Sequence, residues 1–358
     1  MPQVNAPAED AFAGTKPVED RHRIDEAKLD QWMGENVEGY RGPLTVLQFK
    51  GGQSNPTYRL DTPEKSYVLR RKPFGKLLPS AHAVDREFRV ISALHKQGFP
   101  VARPYALCAD EAVIGATFYI MSMVDGRVFW DATLPDRTPA ERRAIYEAEI
   151  TTLADLHQFD PEKIGLGDYG KPGNYFARQI DRWSKQYRAS ETAPIAAMDR
   201  LIAWLPQSVP PQDRVAIVHG DYRIDNMIFH PSEAKVAAVL DWELSTLGDP
   251  LADFTYLVMN WAMPPEGRSG LSGLDLPALG IPTMTEAIDL YCERTGRPGI
   301  PALDWYFAYN VFRLGAISQG IAKRFVDGTA ASERAREMGE RAAPLAEAAW
   351  RFAVKAGA

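Results

Sequence analysis

Along this chain the apolar positions first follow a helical period and then alternate. Ile24, Leu29, Trp32 and Met33 fall on one face of a short amphipathic helix. Leu44 to Phe49 alternates as a half-buried strand does, and Tyr58 to Leu60 and Tyr67 to Arg70 continue the pattern. The cluster Gly51-Gly52-Gln53-Ser54-Asn55 between the first two of these reads as a hairpin tip, and Pro63 and Lys65 mark the next turn. Val84, Phe88, Ile91 and Leu94 then share a face of a helix predicted over residues 82–96, which Pro100 and Pro104 close off. Leu107-Cys108 and Phe118 to Val124 read as two more strands. The expectation is a five-stranded antiparallel sheet crossed by one helix.

Asp125-Gly126 breaks the alternation, and helical periods dominate the rest of the chain. Helices are predicted over residues 139–157, 175–189, 194–205, 284–294, 304–324 and 332–355. A β-rich first third and a helix-rich remainder make an α+β protein of two lobes. The boundaries read as a disordered tail over 1–22, an N-terminal lobe over 23–123 and a C-terminal lobe over 124–358. The segment 264–282, rich in Gly, Pro and Leu, is long enough for a lid or a substrate-recognition insertion.

Composition narrows the class. With 358 residues, 45% hydrophobic and 25% charged, the chain can bury a large core and matches an ordinary soluble protein. The net charge of −6 argues against a general nucleic-acid binder, although Lys50, Arg70, Arg71, Lys72 and Lys76 form a local basic stretch suited to phosphates. The two cysteines, Cys108 and Cys292, supply neither a disulfide framework nor a four-ligand metal site, and a reducing cytoplasm is the simple reading. The first twenty residues lack the apolar stretch of a signal peptide, and no apolar run reaches the ~20 residues of a membrane span. No membrane or nucleic-acid partner is expected, and the oligomeric state is left open.

One segment carries chemistry. Val218-His219-Gly220-Asp221 leads through four residues to Asn226, and Val239-Leu240-Asp241-Trp242 comes after it. A strand, a turn and a second strand would explain Gly220, but not the clustering of Asp221, Asp225, Asn226 and His219. Four specified residues in this spacing would arise by chance in roughly one such chain in several hundred, at ~5% usage per residue type. One carboxylate to receive a hydroxyl proton, plus an amide and a second carboxylate to hold Mg2+, is the minimum equipment for moving a phosphoryl group from ATP to an alcohol.

His219-Gly220-Asp221, Asn226 and Leu240-Asp241-Trp242 together resemble the signature of the aminoglycoside and choline phosphotransferase family, relatives of the protein kinases. The likeness extends from about Gly39 to Arg324. It implies a bilobal kinase-like fold with ATP and Mg2+ in the cleft. Asp221 would be the catalytic base, and Asn226 and Asp241 would bind the metal. His219 would support the loop by hydrogen bonding. Asp249 before Pro250 suits a helix N-cap, and Asp253 would brace the loop.

On the nucleotide side, the resemblance makes Gly52, Ser54 and Asn55 part of the flap over the ATP phosphates, where glycines let backbone N–H groups approach the anion. Kinase relatives hold the α/β-phosphates with a lysine on the third strand. Here Arg70 takes that place, with Lys72 as the alternative, and Glu87 matches the helix glutamate that pairs with this cation. Met123 would meet the adenine through its main chain.

The resemblance implies an acceptor that is a small molecule bearing a hydroxyl. A narrower resemblance, over Arg71 to His82 and Arg313 to Gly320, points to the kinase domains fused to some acyl-CoA dehydrogenases. It implies a 4-hydroxyacyl-CoA, and the basic residues 71–76 suit the phosphates of a CoA thioester. Chain position makes Arg223 and Arg313 candidate acceptor contacts, with Gln319 beside them. A choline- or aminoglycoside-type kinase is the alternative, with Trp242, Trp261, Trp305, Tyr306 and Tyr309 available for an aromatic cage. A nucleotide-binding regulator without transfer activity is the other, and the intact Asp221, Asn226 and Asp241 speak against it.

Overall fold

The computed structural model describes residues 14–50, 55–74, 83–265, 269–328 and 333–358. The chain divides into two compact units. One comprises residues 1–130, 164–166 and 224–245, and the other residues 131–163, 167–223 and 246–358.

The first unit is built on an antiparallel sheet of β1 (Thr15–Lys16), β2 (Thr45–Phe49), β3 (Thr57–Asp61), β4 (Ser66–Arg71), β5 (Pro104–Cys108) and β6 (Phe118–Ser122). The order is β1-β2-β3-β4-β6-β5. Five of these strands are the expected ones. The sixth, β1, comes from the segment expected as a tail, where Thr15 and Lys16 pair with Phe49 and Gln48. Its Pro-, Ala- and acid-rich surroundings give no alternation that would announce a strand. Residues 1–13 lie outside the described residues.

Alternation aims Val46, Tyr58, Leu60, Tyr67 and Leu69 at one face, where they bury against Leu29 and Met33 of α1 (Glu26–Asn36). The other face receives α2 (Val84–Lys96), whose acidic first turn and basic last turn suit the helix dipole. Its buried stripe runs Val84, Glu87, Val90, Ile91 and Leu94. Phe88, expected on that stripe, is only half-buried and meets the Tyr119 ring at 5.8 Å. A carboxylate thus occupies a position where the helical period calls for an apolar side chain. A single-turn helix, α3 (Glu111–Ile114), joins β5 to β6.

A hairpin of Met227–Phe229 and Val236–Val239 belongs to the same unit. Arg127 and Phe229 exchange backbone hydrogen bonds of 2.8 Å, which attach the hairpin to the chain just after the sheet. Gly126 permits this approach, since a Cβ there would stand 2.2 Å from the Phe229 carbonyl oxygen.

The second unit is mainly helical: α4 (Pro139–Leu156), α5 (Tyr175–Ser190), α6 (Ala196–Trp204), α7 (Leu251–Val258), α8 (Leu276–Leu279), α9 (Met284–Thr295), α10 (Leu303–Val326), α11 (Glu333–Glu340) and α12 (Ala342–Lys355). Capping boxes start two of them, Thr138 with Glu141 on α4 and Thr283 with Glu286 on α9. Ala216–Val218 pairs antiparallel with Thr246–Gly248, and this short ladder delivers the chain to His219 and to Asp249. Phe176 of α5 packs edge-on or tilted against Trp305, Tyr306 and Tyr309 of α10, with ring centroids 5.0–5.3 Å away.

The single helix expected over residues 332–355 is two. Pro344 has no N–H to offer the Glu340 carbonyl four residues back, so the first helix ends there. The segment over 264–282, expected as a lid or a substrate-recognition insertion, contains α8, and its residues 266–268 lie outside the described set. Among the described residues no helix is long and apolar enough to cross a membrane.

Gly126→Ala should cost about 1–3 kcal/mol, because the methyl group must displace the Phe229 carbonyl or the Ile228 side chain. Urea denaturation of the two proteins measures this, and equal midpoints would remove the close approach.

Candidate active site

Two constellations hold the residues singled out by sequence, one in each unit. In the first, Arg70 and Tyr119 are register partners across β4 and β6 and therefore share a face of the sheet. Both reach Glu87 of α2: the Tyr119 hydroxyl donates to Oε2 at 3.2 Å, and Arg70 Nε lies 2.8 Å from the same oxygen, though off the line of its N–H. Arg70 Nη2 donates to Asp241 Oδ1 at 2.8 Å and stands 3.6 Å from Glu243 Oε2. Asn55 completes the cluster, its amide donating to Glu87 Oε1 at 2.9 Å and Glu243 Oε2 at 3.5 Å.

Burial by itself would lower the pKa of Arg70, but the surrounding Glu87, Tyr119, Asp241 and Glu243 raise it above the ordinary guanidinium value. Burial pushes Glu87 upward against the pull of Arg70. Three carboxylates surround one guanidinium, an excess of negative charge that a divalent cation would balance.

Hairpin pairing explains how Asn226 and Asp241 come together. Met227 faces Val239, and the Leu240 N–H donates to the Asn226 carbonyl at 2.8 Å. Asn226 and Asp241 therefore lie at the same end of the hairpin, fifteen positions apart in sequence. Asp241 sits in the left-handed region at φ 62°, ψ 64°, a conformation that Asp tolerates better than most residues. An amide oxygen and a carboxylate are hard donors of the kind Mg2+ takes, with phosphate oxygens and water filling the remaining positions. The residues fit that ion.

The second constellation surrounds Asp221. Gly220 is at φ 88°, a backbone conformation that glycine adopts without a Cβ penalty. The peptide N–H groups of His219 and Gly220 donate to the two oxygens of Asp253, at 2.6 and 2.8 Å. His219, fully buried, accepts the Asp221 N–H at Nδ1, 3.2 Å away. Both Asp253 and His219 therefore support the loop. The Tyr256 hydroxyl donates to Asp221 Oδ1 at 3.1 Å, and Arg223 Nε lies 3.3 Å from Oδ2. Burial would raise the Asp221 pKa, but Arg223, Arg313, His219 and Tyr256 hold it below the ordinary carboxylate range. Asp221 is a carboxylate at neutral pH.

Other sequence candidates fall in different places. Arg313 is buried, donates from Nη2 to the Gly220 carbonyl, and lies over the Tyr256 ring at 5.2 Å. Gln319 is buried too, with its amide on the Ser190 carbonyl and Thr192 hydroxyl, both at 2.8 Å. Lys72 pairs with Asp85 at 3.4 Å. Met123 lies one residue beyond the last ladder pair, Tyr67 with Ser122. Gly52 and Ser54 lie outside the described residues. The Asp249 carboxylate accepts the Leu251 N–H at 2.9 Å, as a cap does. Glu243, Tyr119 and Tyr256 escaped the sequence reading. Asp253 and Tyr256, three residues apart, share a face of the largely apolar α7, and that spacing was the signal available.

Residues 45–279, more than half of the chain, match the phosphotransferase enzyme family. The chain belongs to that family. Mouse acyl-CoA dehydrogenase family member 10 is 44% identical over 96% of the chain, and the chain spans only 32% of that relative's length. A crystal structure of a Ralstonia eutropha protein, provisionally named an aminoglycoside phosphotransferase, is 53% identical, covers 93% of this chain and 99% of its own, and superposes with a TM-score of 0.86. Aminoglycoside phosphotransferase APH(4)-Ia, in a ternary complex with AMP-PNP and hygromycin B, shares the fold at 15% identity, with a TM-score of 0.58 over 91% of this chain and 99% of its own. The fold of this family member is thus the kinase-like one.

Asp249 gives a pH dependence to this family member. Burial pushes its carboxyl up to about 6, against the Leu251 N–H and the Arg297 charge. A folded-state value above that of the unfolded chain contributes stability that is complete below the ordinary carboxylate range and lost as pH rises through about 6. Asp249→Asn keeps a capping oxygen and removes the buried charge. It should gain ~1–3 kcal/mol over the parent at neutral pH and little at pH about 4, in guanidinium melts across that range.

Proposed function

We propose that this protein is an ATP- and Mg2+-dependent kinase that phosphorylates the hydroxyl of a small molecule, a 4-hydroxyacyl-CoA being the acceptor that fits best. The observation that carries the reading is the state of Asp221: a carboxylate kept ionised by Arg223 and Arg313 and oriented by the Tyr256 hydroxyl. The acceptor oxygen forms a bond to the γ-phosphorus of ATP as the bond from that phosphorus to the bridging oxygen breaks. The electron pair leaves with ADP, and the acceptor's proton passes to an Asp221 oxygen. A loose transition state asks for position more than for basicity, so a carboxylate of lowered pKa suffices.

Arg70 holds the ATP phosphates, and Glu87 keeps its guanidinium aimed, as the 2.8 Å pair supports. Asn226 and Asp241 hold Mg2+, whose charge offsets that of the triphosphate. Nucleotide use is supported by the AMP-PNP bound to the relative of the same fold. Met123 serves the adenine and Asn55 the phosphate flap. Arg223, half-exposed beside Asp221, is the acceptor contact of the two arginines predicted, and Arg313 positions the loop through the Gly220 carbonyl.

The acyl-CoA reading rests on the relative named for acyl-CoA dehydrogenase and, among the basic residues expected to meet CoA, on the part-exposed Lys72, since Arg71 is fully buried on the Tyr58 hydroxyl and under the Phe74 ring. The name of the Ralstonia protein favours an aminoglycoside instead. A choline-type aromatic cage gains nothing here, since Trp242, Trp261, Trp305, Tyr306 and Tyr309 are all buried.

ADP formation over a panel of hydroxyacyl-CoA thioesters, aminoglycosides and choline tests the function. Turnover of a 4-hydroxyacyl-CoA is expected, and Asp221→Asn should keep ATP binding while losing ~10²–10⁴ in kcat. Good turnover confined to an aminoglycoside or choline would sink the acceptor, and wild-type rates in Asp221→Asn would sink the base. Separately, Arg70→Ala should raise the KM for ATP at least about tenfold while Lys72→Ala leaves it nearly unchanged, and the opposite pattern would transfer the phosphate role to Lys72.

A further inference from the structure

A cavity of about 210 Å3 opens in the helical unit, lined by His157, Arg214, Tyr291, Thr295 and Arg297 among others. Asp221 is not among the lining residues. Arg297 follows α9 in a Schellman arrangement: Gly296 is left-handed, and the Arg297 N–H donates to the Cys292 carbonyl at 2.9 Å. Its backbone is therefore fixed, and its side chain is only 6% exposed. Nη1 lies 3.6 Å from the carboxylate of Asp213, itself 68% exposed. Nε and Nη2 are buried and have no hydrogen-bond partner. Those two N–H groups form one edge of the guanidinium, the edge that grips two oxygens of one oxyanion side-on.

The neighbours leave this edge unanswered. Arg214 spends its donors on the Thr295 and Gly296 carbonyls, at 2.5 and 3.1 Å, and adds a second positive charge. The Tyr291 hydroxyl is engaged with His157 Nδ1 at 2.8 Å, and burial lowers the His157 pKa. Thr295 donates to the Tyr291 carbonyl at 2.7 Å. The acids that bear on Arg297 are the exposed Asp213 and the buried Asp249, which is ionised at neutral pH but makes no hydrogen bond to Nε or Nη2. A buried guanidinium edge without an acceptor costs more than one that is filled.

We propose that Arg297, with the charge of Arg214 beside it, forms a second binding site in this protein, for a small oxyanion carrying two oxygens on one centre, a phosphate or carboxylate group. The proposal stands apart from the kinase reading. A link to the loop that carries Asp221 runs through His157, which lines the cavity and has Nε2 3.4 Å from Asp253 Oδ2.

The test uses the full chain in a zwitterionic buffer at constant ionic strength. Inorganic phosphate and acetate are titrated separately by calorimetry into the wild type, Arg297→Lys and Arg70→Gln, the last because the nucleotide site also takes phosphate. The wild type should bind at least one of the two anions below about 10 mM, Arg297→Lys should weaken that binding on the order of tenfold, and Arg70→Gln should leave it in place. Lysine keeps the charge but lacks the fork, so this variant separates geometry from charge. Binding of phosphate alone assigns the site to phosphoryl groups, and binding of acetate extends it to carboxylates. No binding by the wild type, equal binding by Arg297→Lys, or loss only in Arg70→Gln overturns the proposal. Should Arg297→Lys not fold, arginine Nε–H resonances followed in the Arg70→Gln protein serve instead. A buried arginine signal that shifts on adding the anion supports the site, and a spectrum that stays fixed overturns it.

Discussion

Burying a guanidinium is costly unless acidic oxygens surround it, and the sheet unit is arranged around satisfying that demand at Arg70. The β4 strand supplies the cation, α2 supplies Glu87, and the segment after the hairpin supplies Asp241 and Glu243. These elements lie far apart in sequence, so the cluster fixes their mutual placement as well as a charge pattern. Such a network stabilises little over a well-packed apolar equivalent, but removing one member leaves a buried charge uncompensated.

In the helical unit a single carboxylate plays the corresponding part. Asp253 satisfies two consecutive peptide N–H groups of the loop that carries Asp221 and approaches the buried His157 that caps α4. The loop takes its shape from that anchor, from the left-handed Gly220 and from the Arg313 guanidinium on the Gly220 carbonyl. Asp221 is thereby presented on a braced frame, with Tyr256 and Arg223 orienting its carboxylate oxygens. Preorganisation of this kind lowers the reorganisation required when charge moves during reaction.

The parts of the chain that could be read in advance were those with a local signal. Strands β2, β3, β4 and β6 alternate along their own length, and the His-Gly-Asp run carries its chemistry in consecutive residues. Glu87 was legible only through resemblance, yet its place on the buried stripe of α2 is a physical signal in its own right. What could not be read depends on distant partners. Thr15-Lys16 becomes a strand only because Gln48 and Phe49 offer an edge. Arg313 was expected to face an acceptor, and its buried hold on Gly220 is set by α10 packing that no local window contains. Tyr119 and Glu243 gain meaning only through Arg70, from which they are separated by 49 and 173 positions.

The hairpin over residues 224–245 counts with the sheet although the chain reaches it only after the first helices of the other unit. The sheet unit is therefore a mosaic of non-adjacent gene segments. A fragment ending near residue 130 would carry Arg70 and Glu87 but neither Asp241 nor Glu243, and so would expose the cluster with two of its three acids missing. In modular terms, the two units are not cassettes: recombination that shuffles whole proteins can move them together, whereas no single crossover can exchange one for a homologue's and keep its charge network from a single parent.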